Sequence, residues 1–195
     1  MQIKRLGPAF LIAFLPGLAF LPGLASAQMR YTSFEIDFVD IDFGNDLVDV
    51  SGDGFELHGS YALGENWFVF GQYQDQNVDY GADGSSLEAG VGYHLPLRPN
   101  VDFIAAASFI DAEVGRGQSS VDDQALAIAA GARAHLGKAF EVEGGVKYVN
   151  FDDSGSDTSW VVTGRYYFTE RFAVTAGTDL SDHADTFRLG FRGEF

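Results

Sequence analysis

The chain has 195 residues, 28 acids against 12 bases, and a formal net charge of −16. A surface so acidic repels nucleic acid, which excludes that class of partner. Cysteine is absent, so neither a disulfide framework nor thiol chemistry is available.

The first element is a leader. Lys4 and Arg5 precede an apolar run from Leu6 to Leu24, and Ala25-Ser26-Ala27 closes it. This order of charge, apolar core and small residues reads as a secretory signal peptide over residues 1–27, cleaved before Gln28. The run contains a direct duplication, Phe14 to Ala19 repeated as Phe20 to Ala25, in a region where only hydrophobicity matters. Pro8, Pro16 and Pro22 argue against a retained membrane helix. Cleavage leaves residues 28–195, one domain by length, and takes the net charge to −18. No later segment is a long uninterrupted apolar run.

Ten stretches of apolar–polar alternation follow, which predict ten strands. They lie at about 31–43, 54–63, 67–75, 86–95, 101–113, 124–136, 140–151, 159–168, 172–180 and 186–195. In the first, Phe34, Ile36 and Phe38 hold one phase and Val39, Ile41 and Phe43 the other, which predicts a bulge at 38/39. Connections alternate in length. Residues 64–66, 96–100, 137–139 and 169–171 make short turns; residues 44–53, 76–85, 114–123, 152–158 and 181–185 make longer loops. Aromatics gather beside the turns, as at Tyr61, Trp67, Phe140, Tyr166 and Phe172. Tyr73, Phe109, Tyr148, Trp160 and Phe187 could form a second ring.

The opposite phase carries a polar set: Glu56, His58, Glu88, His94, Arg133, His135, Glu143, Lys147, Arg165, Arg188 and Arg192, with Glu35, Asp37, Asp102, Glu141, Asp179 and Glu194 in the same phase. Alternation alone does not say whether this face is a lumen or the surface of a soluble sandwich. Phe68 and Phe70 break the pattern by joining the polar face, which suggests a plug.

The final stretch puts Phe187, Leu189, Phe191, Gly193 and Phe195 on one face and Thr186, Arg188, Gly190, Arg192 and Glu194 on the other. It resembles the C-terminal assembly signal of bacterial outer-membrane proteins, with Arg188, Gly190 and Phe195 matching and Gly193 standing where an aromatic is usual. The chain after the leader resembles small outer-membrane barrels of the OmpA-like and opacity-porin-like type. That resemblance implies an all-β, transmembrane, antiparallel up-and-down barrel of ten strands, with eight as the alternative. It implies a bacterial outer-membrane location with both termini periplasmic. The implied partners are outer-membrane lipid, lipopolysaccharide and the barrel-assembly machinery.

Seventeen of the 28 acids fall in the five longer connections and their strand ends, against one base, Arg116. They read as a solvated rim, with divalent-cation binding as the sharper alternative. Asp182-His183 resembles the Asp/His pairs with which the ten-stranded omptin proteases activate water, but this chain is shorter and is expected to lack strands that project far above the membrane. No catalytic residue, metal centre or cofactor is assigned. The functional expectation is a non-enzymatic structural or surface-interaction barrel. A small cation-preferring porin is the alternative and an outer-membrane hydrolase the second.

Overall fold

A computed structural model describes residues 29–43, 50–116 and 119–195. The leader and its cleavage site, and Asp46 and Asp49 of the first loop, lie outside the described residues. The described chain forms ten antiparallel strands: β1 (Ser33–Phe43), β2 (Val50–Leu63), β3 (Trp67–Val78), β4 (Ala82–Arg98), β5 (Val101–Arg116), β6 (Ser119–Leu136), β7 (Phe140–Phe151), β8 (Ser156–Tyr167), β9 (Phe172–Leu180) and β10 (Asp185–Glu194). Each pairs with its sequence neighbours, and β10 pairs with β1, so the sheet is a closed barrel with no free edge.

Both ends of the described chain, residues 29 and 195, lie at one end with the connections 64–66, 99–100, 137–139 and 168–171, here called the turn end. The other connections define the loop end. The turn end is where closure is knitted: the Phe195 amide donates to the Thr32 carbonyl at 3.0 Å.

The apolar phase faces outward. Phe34, Ile36 and Phe38 on β1, and Phe187, Leu189 and Phe191 on β10, are all at least 46% exposed. No soluble core would leave them so; a lipid belt does. Around the turn end, Trp67 meets Tyr93 and Phe140 meets Tyr166, each at 5.0 Å between ring centres.

Three expectations need correction. There is no bulge at 38/39: β1 alternates without a break and its registers with β2 and β10 are continuous. Val39 and Ile41 therefore point inward and are buried, while Asp40 and Asp42 point outward. The apolar phase did not slip; the lipid belt ended, and acids took over its face. The irregularity instead lies between Pro96 and Arg98 on β4, where the proline cannot donate to the ladder.

The loops expected at 76–85 and 114–123 are mostly ladder. β3 and β4 pair as far as Val78 and Ala82, and β5 and β6 as far as Arg116 and Ser119. Backbone pairing does not need apolar side chains, so the strands continue above the belt on polar residues. Among the described connections, the two ends thus differ in how far strands overrun the belt rather than in length. It follows that these strands do project, contrary to the reading that set the chain apart from the omptins.

Candidate functional site

The polar phase converges in the lumen, and it does so in layers. At the turn end, five strands supply one ionic network. Arg133 Nε on β6 lies 2.7 Å from Glu141 Oε1 on β7, and Arg133 also reaches Glu194 on β10 at 3.1 Å. Arg165 on β8 pairs with Glu141 at 2.9 Å and Glu143 at 2.8 Å. Arg192 joins Glu35 at 3.1 Å to Glu194 at 3.0 Å. His135 lies 3.3 Å from Glu141, and the Tyr167 hydroxyl donates to Glu194 at 2.7 Å. Glu141 is 1% exposed. Charges this deep are tolerable only because each has partners.

The rest of the turn-end cross-section is aromatic. Tyr31, in the segment before β1, stacks on His94 at 3.9 Å and on Phe68 at 5.0 Å. Its hydroxyl donates to Asp102 Oδ2 at 2.8 Å, which also lies 3.1 Å from His94 Nδ1. The Arg133 guanidinium sits 5.2 Å from the Tyr31 ring centre, and its Nη1 donates to the Arg30 carbonyl at 3.0 Å. Phe68 and Phe70 do face in. They fit because Gly92 and Gly90 stand beneath them; a Cβ on Gly92 would overlap the Phe68 ring.

Above this layer is a cavity of about 230 Å³. Its lining includes five carboxylates, Glu35, Glu56, Glu88, Glu143 and Asp179, against three bases, Lys147, Arg165 and Arg188. Arg188 grips Asp179 with both terminal nitrogens, at 2.8 and 2.5 Å, and donates to Glu56 at 3.1 Å. Lys147 donates to Glu88 at 2.6 Å, and so does Ser108. One wall is small: Ala106, Ala127, Ala129, Gly131 and Gly145. Nearer the loop end the lumen turns apolar around Ile110, Ala125 and Ala127.

The three lumen histidines are not brought together. His94 serves Asp102, His135 serves Glu141, and His58 packs edge-on to Phe70 at 6.1 Å. Among the described residues no three His, Asp or Glu side chains converge to hold a metal ion. Asp182-His183 is not a working pair: His183 Nδ1 lies 3.0 Å from Asp157, with the His183 side chain 74% exposed. The Ser181 hydroxyl beside it donates to the Ala184 carbonyl. In the loop-end turn, Asp79 accepts from the Ser51 amide at 2.9 Å and its hydroxyl at 3.0 Å, and the amide above all holds its carboxyl below the usual range.

Sequence reasoning singled out neither Tyr31 nor Tyr167. Tyr167 holds the inward, odd-numbered phase of β8 and Tyr31 continues that of β1, so the alternation carried the signal.

A sequence profile of the outer membrane protein beta-barrel domain matches residues 10–168. The chain belongs to this family. Its fold resembles solved members of the outer-membrane barrel class. The KdgM porin, solved with oligogalacturonate, is 10% identical over 84% of this chain and 99% of its own, with a TM-score of 0.46. Ail, the attachment invasion locus protein of Yersinia pestis, is 16% identical over 86% and 100%, with a TM-score of 0.43. The N-terminal barrel of Pseudomonas aeruginosa OprF is 15% identical over 84% and 99%, with a TM-score of 0.42. No curated protein matches the chain.

Proposed function

We propose that this family member is a non-enzymatic outer-membrane barrel, closed through its lumen, with a structural and surface-interaction role. The carrying observation is the turn-end layer, where Arg133, Arg165, Arg192 and their carboxylates fill one part of the cross-section and Tyr31, Phe68 and His94 the rest. Residues 29 and 195, the ends of the described chain, lie at the turn end, which fits a periplasmic placement of that end and an outward placement of the acidic loop end. The belt would meet lipid and lipopolysaccharide. Arg188, Gly190 and Phe195 would be read by the barrel-assembly machinery. The loop acids could also meet divalent cations.

One observation favours the porin alternative: the carboxylate excess around the cavity would prefer cations if the lumen opened. A hydrolase has weaker support: among the described residues, the Asp–His pair with an exposed ring is His183–Asp157, on the rim.

The test is a planar-bilayer recording of the refolded protein, with heat-modifiable gel migration proving that the barrel has formed. The expected result is a silent bilayer. Discrete cation-selective steps from the wild type would replace this reading with the porin.

A further inference from the structure

The bases of the described chain differ in how they are compensated. Every lysine and arginine that faces the lumen is ion-paired: Arg133, Lys147, Arg165, Arg188 and Arg192. Three others gather around the β6–β7 and β8–β9 turns. Lys138 and Arg171 are exposed in those turns. Arg30 is brought there from 140 residues away, its Nη1 donating to the Glu170 carbonyl at 3.0 Å. Among the described residues, no carboxylate pairs with any of the three, not even that of Glu170 in the same turn.

Beside these cations the outer wall is aromatic. Phe140 of β7 meets Tyr166 of β8 at 5.0 Å between ring centres, and Phe168, just after β8, stacks on Phe172 of β9 at 6.5 Å. The rings of Phe172 and Phe195 both border Gly193 of β10, 3.2 and 3.9 Å from where its Cβ would stand. All five rings are at least 48% exposed, so they form one uncovered patch along four adjacent strands. The ring pair on the opposite side, Trp67 with Tyr93, lies between turns that carry one acid and one base, Glu65 and Arg98.

Exposed rings settle at the boundary between acyl chains and headgroups, and cations next to them reach the depth of lipid phosphates. A guanidinium or ammonium without a carboxylate finds in a phosphodiester the anion it lacks. The chain carries a net charge of −16, so its field as a whole repels anionic lipid and any attraction has to be local. We propose that Arg30, Lys138 and Arg171, set beside this ring patch, form a docking site for the phosphate headgroup of an anionic phospholipid in the leaflet at the turn end. The proposal rests on the belt meeting lipid, and it names the lipid class and the place. With acids at the opposite end, one lipid class is attracted at one end of the barrel and repelled at the other.

The test is tryptophan quenching by brominated phospholipids, with the protein refolded into mixed vesicles of phosphatidylglycerol and phosphatidylcholine. Trp67→Phe and Trp160→Phe remove both native tryptophans, and Phe168→Trp puts a single reporter in the patch. Brominating one lipid at a time gives the local preference. The parent should prefer phosphatidylglycerol about threefold at low salt, and sodium chloride should weaken that preference. Lys138→Gln with Arg171→Gln should bring the ratio to about one, while Lys138→Arg with Arg171→Lys keeps it. Heat-modifiable gel migration checks that each barrel has formed; should Phe168→Trp not fold, Tyr166→Trp takes its place as reporter. Equal quenching by the two lipids in the parent overturns the site, as does a preference that survives the Gln pair. Quenching by neither lipid fails the belt itself, an outcome distinct from a patch that meets lipid without choosing between the two.

Discussion

Among single residues, Glu141 carries the most. It touches Arg133, Arg165 and His135 at once and is 1% exposed. Glu141→Gln leaves two buried guanidinium groups short of a counter-charge, and unfolding free energy in micelles should fall by about 3–5 kcal/mol. His183→Ala removes a contact with Asp157 whose imidazole is 74% exposed, and the same measurement should move by less than about 1 kcal/mol. Equal effects would mean that the network is no more than a collection of solvated pairs. Asp79 sets a different test, outside the membrane. Its carboxyl is depressed by the Ser51 amide, so the bond is fully present at neutral pH and is lost only as pH falls through the folded value. The Ser51 amide resonance should titrate with a midpoint below the ordinary Asp value of about 3.9. A midpoint at or above that value would remove the bond from the loop.

At the scale of strands, the closing pair β1–β10 is set by Gly190. A Cβ there would fall on the Ile36 carbonyl oxygen and crowd Asp37, whose Oδ1 already accepts from Thr175 at 2.6 Å. Gly190 also belongs to the expected assembly signal, so its two roles need separating. Gly190→Ala should destabilise the barrel by about 1–3 kcal/mol through overpacking, even in spontaneous refolding without any assembly factor. Unchanged spontaneous refolding with failed assembly in cells would instead make the glycine a recognition element. At Gly193, where the expected signal would carry an aromatic, the Phe172 ring of β9 lies over the backbone, 3.2 Å from where a Cβ would stand. The aromatic is present at that place on the surface, supplied by the neighbouring strand.

For the molecule as a whole, strand number and facing were legible because period-two alternation is a local property, and β7 and β9 match their expected bounds residue for residue. Strand ends were not legible, because a ladder on polar residues leaves no apolar signal, and the expected bulge mistook the upper edge of the belt for a change of phase. The partnering inside the lumen was hidden for another reason: it joins β6 to β10 and residue 31 to β5, across the barrel, where no periodicity reaches. The same misread edge marks a physical liability. Above the belt the outward phase turns acidic strand after strand, and acids then face acids across the ladder: Asp40 opposite Asp53, Asp42 opposite Asp185, Glu113 opposite Asp122. Like charges directly opposite are destabilising, and exposed ones are screened within about a Debye length. The melting temperature should therefore rise with sodium chloride, and the paired change Asp53→Asn with Asp122→Asn should raise it at low salt while flattening the salt dependence. Calcium at matched ionic strength separates screening from binding. An equal melting temperature means that the collar is only screened. A further rise that the Asn pair abolishes would mean that opposed carboxylates share bound cations, and would make the collar a divalent-dependent contact with the anionic outer leaflet.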